Sequence, residues 1–330
     1  MSQYAHLSTP DPEILQGLAA LPKFEPPKDI ASVREQMEML AARNNELFKH
    51  QLPDASLYRV EDHVVPVDGG QIRVQCTIPT AKAREDTTYP LLVYFHSGGW
   101  SSGTIAQDER LLRNTCVSKQ ITTVAVEYRL APEHPYPTQL NDSFAALKWA
   151  AENTAILNVS LSKGFIVAGQ SAGGEITGIL THRARDDSFF HDKPLTGQIL
   201  EVPAIIHPLG YPEQYKDELL STEQNKDSPF LSREQMTAFL SVYGASPTDV
   251  EAWPLLQKSH EGLPPAVLHI CGMDPLRDDG ILYNKVLKEA GVKTKFHMYP
   301  GAPHIFQLVL PQLEISKRYL DDFSTGLQSQ

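Results

Sequence analysis

The chain holds three cysteines in 330 residues, Cys76, Cys116 and Cys271, odd in number and far apart. That spacing argues against a disulfide framework and against a paired-cysteine metal site. No run of about 18 apolar residues occurs, so no stretch reads as a transmembrane helix. Positive charge is scarce. Lys and Arg number 29 against 40 Asp and Glu, a formal net charge of −11. Such a balance disfavours nucleic acid or an anionic membrane as a partner. The first residues, Met1 to Pro12, lack a basic n-region and an apolar h-region. The sequence therefore reads as soluble and cytoplasmic, and either a monomer or a homodimer fits. Internal repeats, heptads and low-complexity tracts are also missing. Gly169 to Gly174 is not a phosphate-binding loop, because no Lys-Ser/Thr follows. There is no G-x-G-x-x-G in a first βαβ unit and no H-E-x-x-H, so neither a metal nor an organic cofactor is expected.

What is present is an apolar fraction of 41% with 21% charged residues, enough for a sizeable core. Prolines at 10, 12, 22, 26 and 27 leave room for one short helix from Pro12 to Ala20. Ile30, Val33, Met37, Leu40 and Ala41 recur at helical spacing over Ile30 to Gln51, either a lid or an ordinary packing helix. The period becomes two at Leu57 to Val67 and Gln71 to Ile78, around Asp68-Gly69-Gly70, which reads as a hairpin. Strands at 91–95, 122–127, 165–168, 198–202, 266–271 and 294–299 then alternate with helices at 109–119, 144–152, 281–290 and 307–323, and with one that starts at Ser171. This series predicts a mostly parallel sheet of about eight strands, covered by helices on both faces. Between Pro203 and Pro265 the rhythm breaks, and a small helical insertion is expected there. The division is residues 1–56 as an N-terminal helical cap segment, 57–204 and 263–330 as the core, and 205–262 as a cap insertion.

The stretch Gly169-Gln-Ser171-Ala-Gly-Gly174 lies between an apolar strand and a helix. A serine with glycine two residues to each side suits a strained strand-to-helix elbow, with its Oγ exposed above the sheet and a helix N-terminus behind it. A glycine-rich turn without chemistry is the alternative. Three further places converge on it. His96-Ser-Gly98-Gly99-Trp100 follows a strand end, and two successive glycines free backbone N–H groups to hold an oxyanion; Gly98 and Gly99 would donate, with the N–H of Ala172 as a third donor. Alone, that loop is also consistent with a solvent-exposed turn. Asp274 and His304 each follow a strand at the C-terminal edge of a parallel sheet, where open α/β sheets place their sites. They come after Ser171 in the order serine, acid, histidine. Asp274 as a helix N-cap and His304 as a surface residue are the plainer alternatives. Asp278 and Asp279 compete as acids but suit pairing with Arg277 or the helix N-terminus. His182, His191 and His260 stand in polar surroundings and read as solvated. His207 and His269 read as structural, and Cys271 as inert core.

These motifs are similar to those of the hormone-sensitive-lipase family of α/β-hydrolase esterases, over roughly residues 57 to 325. His96-Ser-Gly-Gly-Trp resembles its oxyanion loop, Glu127-Tyr-Arg-Leu-Ala-Pro-Glu-His-Pro-Tyr-Pro137 its signature segment, and Gly-Gln-Ser-Ala-Gly-Gly its nucleophile motif. Glu261-Gly-Leu-Pro-Pro-Ala266, Asp274-Pro-Leu-Arg-Asp-Asp-Gly280 and Pro303-His304 complete the set. The resemblance implies an α/β-hydrolase fold and a serine carboxylesterase. It carries Ser171, Asp274 and His304 over as the triad, and a small-molecule ester as the substrate, of small to medium acyl length by analogy. Acyl transfer, lactone cleavage and amide cleavage use the same triad. Plant gibberellin receptors look like the family without turning over an ester, but they lack the triad histidine that His304 supplies here. Three positions depart from the pattern: Ser97 replaces a glycine, Gln170 the usual Asp, and Glu175 a frequent Asn. Trp100, Gln170 and Glu175 are expected at the substrate pocket, where the latter two either orient the elbow or shape the acyl site.

Overall fold

Two helices precede the sheet, α1 (Pro12–Ala20) and α2 (Ile30–Leu47). Asp11 caps α1 by accepting from the Glu13 N–H, with Pro12 at the first helical position, and Asp29 and Ser32 form a capping box on α2. The computed structural model describes residues 3–21, 28–80 and 87–327. Within these, β1 (Tyr58–Val67) and β2 (Gly70–Pro79) make the expected antiparallel hairpin, with Gly69 at φ 69° in its turn. The alternating series follows as β3 (Leu91–Phe95), α3 (Glu109–Lys119), β4 (Thr122–Glu127), α4 (Thr138–Glu152), α5 (Thr154–Leu157), β5 (Phe165–Gln170), α6 (Ala172–Asp186) and β6 (Gly197–Glu201). After β6 come α7 (Ser221–Gln224), α8 (Arg233–Tyr243), β7 (Ala266–Cys271), α9 (Arg277–Glu289), β8 (Thr294–Tyr299), α10 (Phe306–Val309) and α11 (Glu314–Gly326).

The eight strands form one sheet in the order β1-β2-β4-β3-β5-β6-β7-β8. It is parallel from β4 to β8, and the hairpin supplies an antiparallel edge. This is the α/β-hydrolase fold. Alternation along the central strands splits the core. Val93, Phe95 and Val167 face α4 and α6 through Leu147, Ile176 and Ile179, whereas Leu92, Tyr94 and Ile166 face α3 and α11 through Leu112 and Phe323. Each such side chain, fully withdrawn from water, contributes roughly 1.5–3 kcal/mol.

Several helix boundaries differ from the sequence reading, and α2 ends at Leu47 rather than Gln51. α4 begins at Thr138, directly after Pro137, rather than at Phe144. α9 begins four residues early, with Asp278 and Asp279 in its first turn, where the helix dipole favours acids. The helix expected over 307–323 is two helices, broken around Pro311, which has no N–H for the ladder. Of residues 203–265 only α7 and α8 are α-helical, yet Leu219, Leu231, Met236, Leu240, Tyr243 and Trp253 join the main core.

The N-terminal residues carry no motif and still make close backbone contact with the C-terminal edge of the sheet. Gly301 donates its N–H to Leu7 O at 2.9 Å and accepts from the Asp11 N–H at 3.2 Å. A Cβ on Gly272 would stand 2.2 Å from Leu7 O, and one on Gly301 2.3 Å from Asp11 N. Glu13 accepts the free N–H groups of Glu314 and Ile315 at the start of α11. Gly301 and Gly244 both hold positive φ, 68° and 81°, but nothing lies within 4 Å of a Cβ on Gly244. Gly244→Ala is therefore expected to cost about 1 kcal/mol, the backbone term alone. Gly301→Ala is expected to cost clearly more and to speed amide exchange in residues 5–11; urea melts and hydrogen exchange compare the pair.

Candidate active site

The elbow is built by close backbone approach. Ser171 sits between β5 and α6 at φ 57°, ψ −111°, a conformation that costs a non-glycine residue roughly 1–3 kcal/mol. Its N–H donates to Glu201 O at 2.8 Å and its carbonyl accepts from Glu175 N at 3.0 Å, so β6 and the first turn of α6 hold it from both sides. Glycine is required on each flank. A Cβ on Gly169 would meet Gly173 O at 2.2 Å, and one on Gly173 would meet Phe95 O at 2.0 Å.

Ser171, Asp274 and His304 come together. His304 Nε2 lies 2.9 Å from Ser171 Oγ, and His304 Nδ1 lies 2.6 Å from Asp274 Oδ2. A carboxyl oxygen at that distance fixes the ring proton on Nδ1 and leaves the Nε2 lone pair toward the serine hydroxyl. Asp274 Oδ1 is itself held by the Leu276 N–H at 2.8 Å. Asp274 and His304 are 1% and 3% exposed and Ser171 8%, so water reaches the serine more readily than its partners.

The 96–103 loop is folded back on itself. Gly98 and Gly99 have φ of 132° and 58°, and a Cβ on Gly98 would fall 2.1 Å from Ser102 O. The Phe239 ring of α8 packs so closely on Gly99 that a Cβ there would stand 2.4 Å from it. Ala172 is the first residue of α6, and its N–H has no partner within the helix. Trp100, also at positive φ, turns its indole N–H onto Glu175 Oε2 at 3.0 Å and stacks on Tyr243 at 4.2 Å and 7°. Tyr243 OH lies 3.4 Å from the other Glu175 oxygen. Glu175 is fully buried and bonded to Trp100, not presented to solvent, and burial pushes its pKa to about 8, with the Trp100 hydrogen bond only partly offsetting that.

Several positioning contacts carried no motif. Arg34 of α2 donates to Ser101 O at 2.7 Å and Ala131 O at 2.8 Å, and forks onto Glu133. The Ala131 N–H reaches Trp100 O at 3.0 Å, and Tyr128 OH donates to His96 O at 2.8 Å while stacking on the His96 ring. The signature segment at 127–137 was the one sequence signal for this second ring of contacts. It acts by holding the glycine loop.

A family model described as the alpha/beta hydrolase fold matches residues 92–308. Carboxylesterase NlhH of Mycobacterium tuberculosis is 37% identical over 263 residues, 77% of this chain and 78% of that protein. A crystal structure of vibralactone cyclase superposes with a TM-score of 0.96 at 39% identity, covering 98% of this chain and 95% of the other. An esterase of Pyrobaculum calidifontis superposes at 0.81 with 31% identity, covering 97% and 98%. The chain belongs to the hormone-sensitive-lipase family of α/β-hydrolase carboxylesterases. It is thus a carboxylic-ester hydrolase.

The three departures from that family's pattern are all buried, and the Gln170 side-chain oxygen has no hydrogen-bond partner among the described residues. Ser97 is buried, and its hydroxyl accepts from Gln107 at 2.8 Å. Gln170 is buried at the end of β5, in register with Glu201 of β6, so it lies under the sheet edge and away from solvent. Glu201 accepts from Tyr94 OH at 3.0 Å, and burial raises its pKa to about 7. Asp278 accepts from Arg277 at 2.8 Å, as its position implied, and Asp279 is buried with its pKa raised by burial and by Asp278 and Asp274. Cys271 is buried inside β7, which raises its thiol pKa. Two readings need correction. His182 and His260 are buried and bonded to each other at 3.0 Å, because α6 and the loop before β7 bring the two rings together, with Tyr283 of α9 edge-on against His260; burial lowers both pKa values to about 4. His191 is exposed, His207 half-buried and His269 buried. Among the described residues no group of three or more His, Cys, Asp or Glu stands together to hold a metal ion, and no helix is long and apolar enough to cross a membrane.

The buried groups set a pH dependence. His182 and His260 have depressed folded values, so their contribution is complete above the unfolded value of 6.5 and is lost below it. Glu175 and Glu201 have raised folded values, so theirs is complete below the unfolded 4.5 and is lost as pH rises to about 8 and about 7. Between pH 6.5 and 8 the acids alone act. Stability is expected to fall there, Glu175 and Glu201 together accounting for on the order of 1–3 kcal/mol. Glu175→Gln with Glu201→Gln should reduce the slope, the remainder belonging to Asp108 and Asp279, whose pKa values burial also raises. Urea midpoints across that range measure it.

Proposed function

We propose that this carboxylic-ester hydrolase cleaves small to medium acyl esters through an acyl-enzyme on Ser171. His304 Nε2 takes the hydroxyl proton as Oγ bonds to the ester carbonyl carbon, and Asp274 holds the imidazole with its proton on Nδ1. The resulting oxyanion rests on the N–H groups of Gly98, Gly99 and Ala172, each worth on the order of 10²–10³ in rate. The alkoxide then leaves, carrying the proton from His304. Water repeats the sequence in reverse and releases the acid. The observation that carries this reading is the unbroken chain of contacts, 2.9 Å from Ser171 to His304 and 2.6 Å from His304 to Asp274, at the C-terminal edge of the sheet. For the acyl length, the support is that Phe239 of α8 lies directly over Gly99, leaving residues 205–262 to act as a cap.

A second reading is transfer of the acyl group to a nucleophile other than water, including one within the substrate itself. It draws on the likeness to vibralactone cyclase, whose name records ring formation. Lactonase and amidase activity use the same acyl-enzyme.

An organophosphonate should label the native protein once, on Ser171, as read by mass spectrometry. Ser171→Ala should abolish both the adduct and the turnover of p-nitrophenyl acetate. Acetate and butyrate esters should be turned over faster than laurate. Absence of any adduct on native protein would rule out the serine mechanism, and oxygen-18 from water appearing in the acid product separates hydrolysis from internal transfer.

A further inference from the structure

Glu175 is not among the residues that touch the reacting atoms, yet it joins the two halves of the oxyanion site. One half is the pair Gly98 and Gly99, followed directly by Trp100. The other is Ala172, at the start of the helix on which Glu175 stands one turn beyond Ser171. We propose that Glu175 is a positioning residue for ester cleavage: by binding the Trp100 indole it sets the distance between the glycine loop and the nucleophile helix. The inference rests on the triad reading above.

The other contacts of the Trp100 ring lack direction. It stacks on Tyr243 and meets Trp253 edge-on at 6.1 Å, contacts that allow the ring to slide. The indole N–H has one use, and at 3.0 Å Glu175 supplies it. Without that acceptor a 3% exposed indole would bury an unpaired donor, and the ring would move to find another. Its backbone would move with it. Trp100 sits at φ 58° between the glycines and Ser101, so there is little slack between indole and loop. Shifts well below an ångström matter for a hydrogen bond that must tighten in the transition state. Because the carboxyl is protonated at neutral pH, Gln is its isostere: an amide oxygen can still accept from Trp100, and Tyr243 OH can pair with the remaining group. A role in packing alone would also survive Gln, so the readout that separates the two is a loss in kcat at little-changed KM in Trp100→Phe, which leaves the volume of Glu175 intact.

The test uses the full chain with p-nitrophenyl acetate, comparing wild type, Glu175→Gln, Glu175→Ala, Trp100→Phe and the double variant Glu175→Ala/Trp100→Phe. Expected are a kcat for Glu175→Gln within roughly threefold of wild type, and losses of roughly 10- to 100-fold in kcat for Glu175→Ala and for Trp100→Phe, with KM little changed. The double variant should lose no more than the worse single, since both remove one bond. Trp100→Phe keeps the carboxyl in place and carries the test if Glu175→Ala does not fold. The idea is overturned by a wild-type kcat in Trp100→Phe or folded Glu175→Ala, by Glu175→Gln as slow as Glu175→Ala, by losses confined to KM, or by additive losses in the double variant. Ser171→Ala separates the two levels: turnover surviving in it defeats the triad reading, whereas turnover lost in it but intact in Glu175→Ala defeats only this inference.

Discussion

Everything in the site is referred to one backbone constraint, the approach of Gly173 to the carbonyl of Phe95. A Cβ at 173 would stand 2.0 Å from that oxygen, so α6 can press against the end of β3 only because the position is glycine. Gly169 meets Gly173 O in the same way from the strand side. With both contacts closed, Ser171 has no room for an ordinary β or helical conformation. It takes φ 57° and holds it through bonds to Glu201 and Glu175. The strain is local and the compensation is spread over β3, β5 and β6, which are buried throughout, and over α6, which is buried from Ala172 to His182.

Asp274 and His304 depend on a second close approach, this one made by the N-terminal residues. Asp274 and His304 sit on loops that leave β7 and β8, and each loop contains a glycine, Gly272 or Gly301, against which Leu7 and Asp11 pack backbone to backbone. Arg277 strengthens the same junction from within. Its fully buried guanidinium reaches Ser8, Gly272 O, Gln224 and Asp278 at once, joining the N-terminal segment, α7 and the Asp274 loop. Such a cation is tolerable in the interior because each of its three nitrogens donates a hydrogen bond, one of them to the Asp278 carboxylate. The N-terminal segment therefore belongs to the support of the site as much as the sheet does.

How legible this was in the sequence follows from the range of the forces involved. The hairpin at Asp68-Gly69, the strands and the serine elbow are local: period, turn residues and glycine spacing determine them within ten residues, and they appear where the sequence places them. Ser171, Asp274 and His304 were readable because parallel strands deliver their C-terminal loops to one edge. Contacts between residues far apart in sequence were not. Nothing near His182 or His260 shows that the two rings will meet across 78 positions, and nothing near Leu7 shows that two glycines some 265 and 294 positions later will receive it. Helix limits failed for a smaller reason, since the weight of Pro137 and Pro311 as boundaries was underestimated against hydrophobic period.

The residues beside Ser171 share a chemical character, since each is neutral or is pushed toward its neutral form. Gln170 is neutral where an Asp is usual, and Glu175 is held neutral by burial where an Asn is frequent. Glu201, whose carbonyl fixes the Ser171 N–H, is also pushed toward the neutral form. An ionised carboxyl at any of these places would oppose the negative charge that develops on an oxyanion a few ångströms away, in surroundings that screen it poorly. Neutral groups avoid that opposition, and the Glu175 and Glu201 carboxyls still accept hydrogen bonds, from Trp100 and Tyr94. Burial is what keeps them neutral, so the same withdrawal from water that makes them costly to ionise allows them to brace the elbow without disturbing its charge. On this view the acids beside Ser171 serve as geometric parts, and Asp274 is set apart from them by the bond that its carboxyl makes to His304 Nδ1.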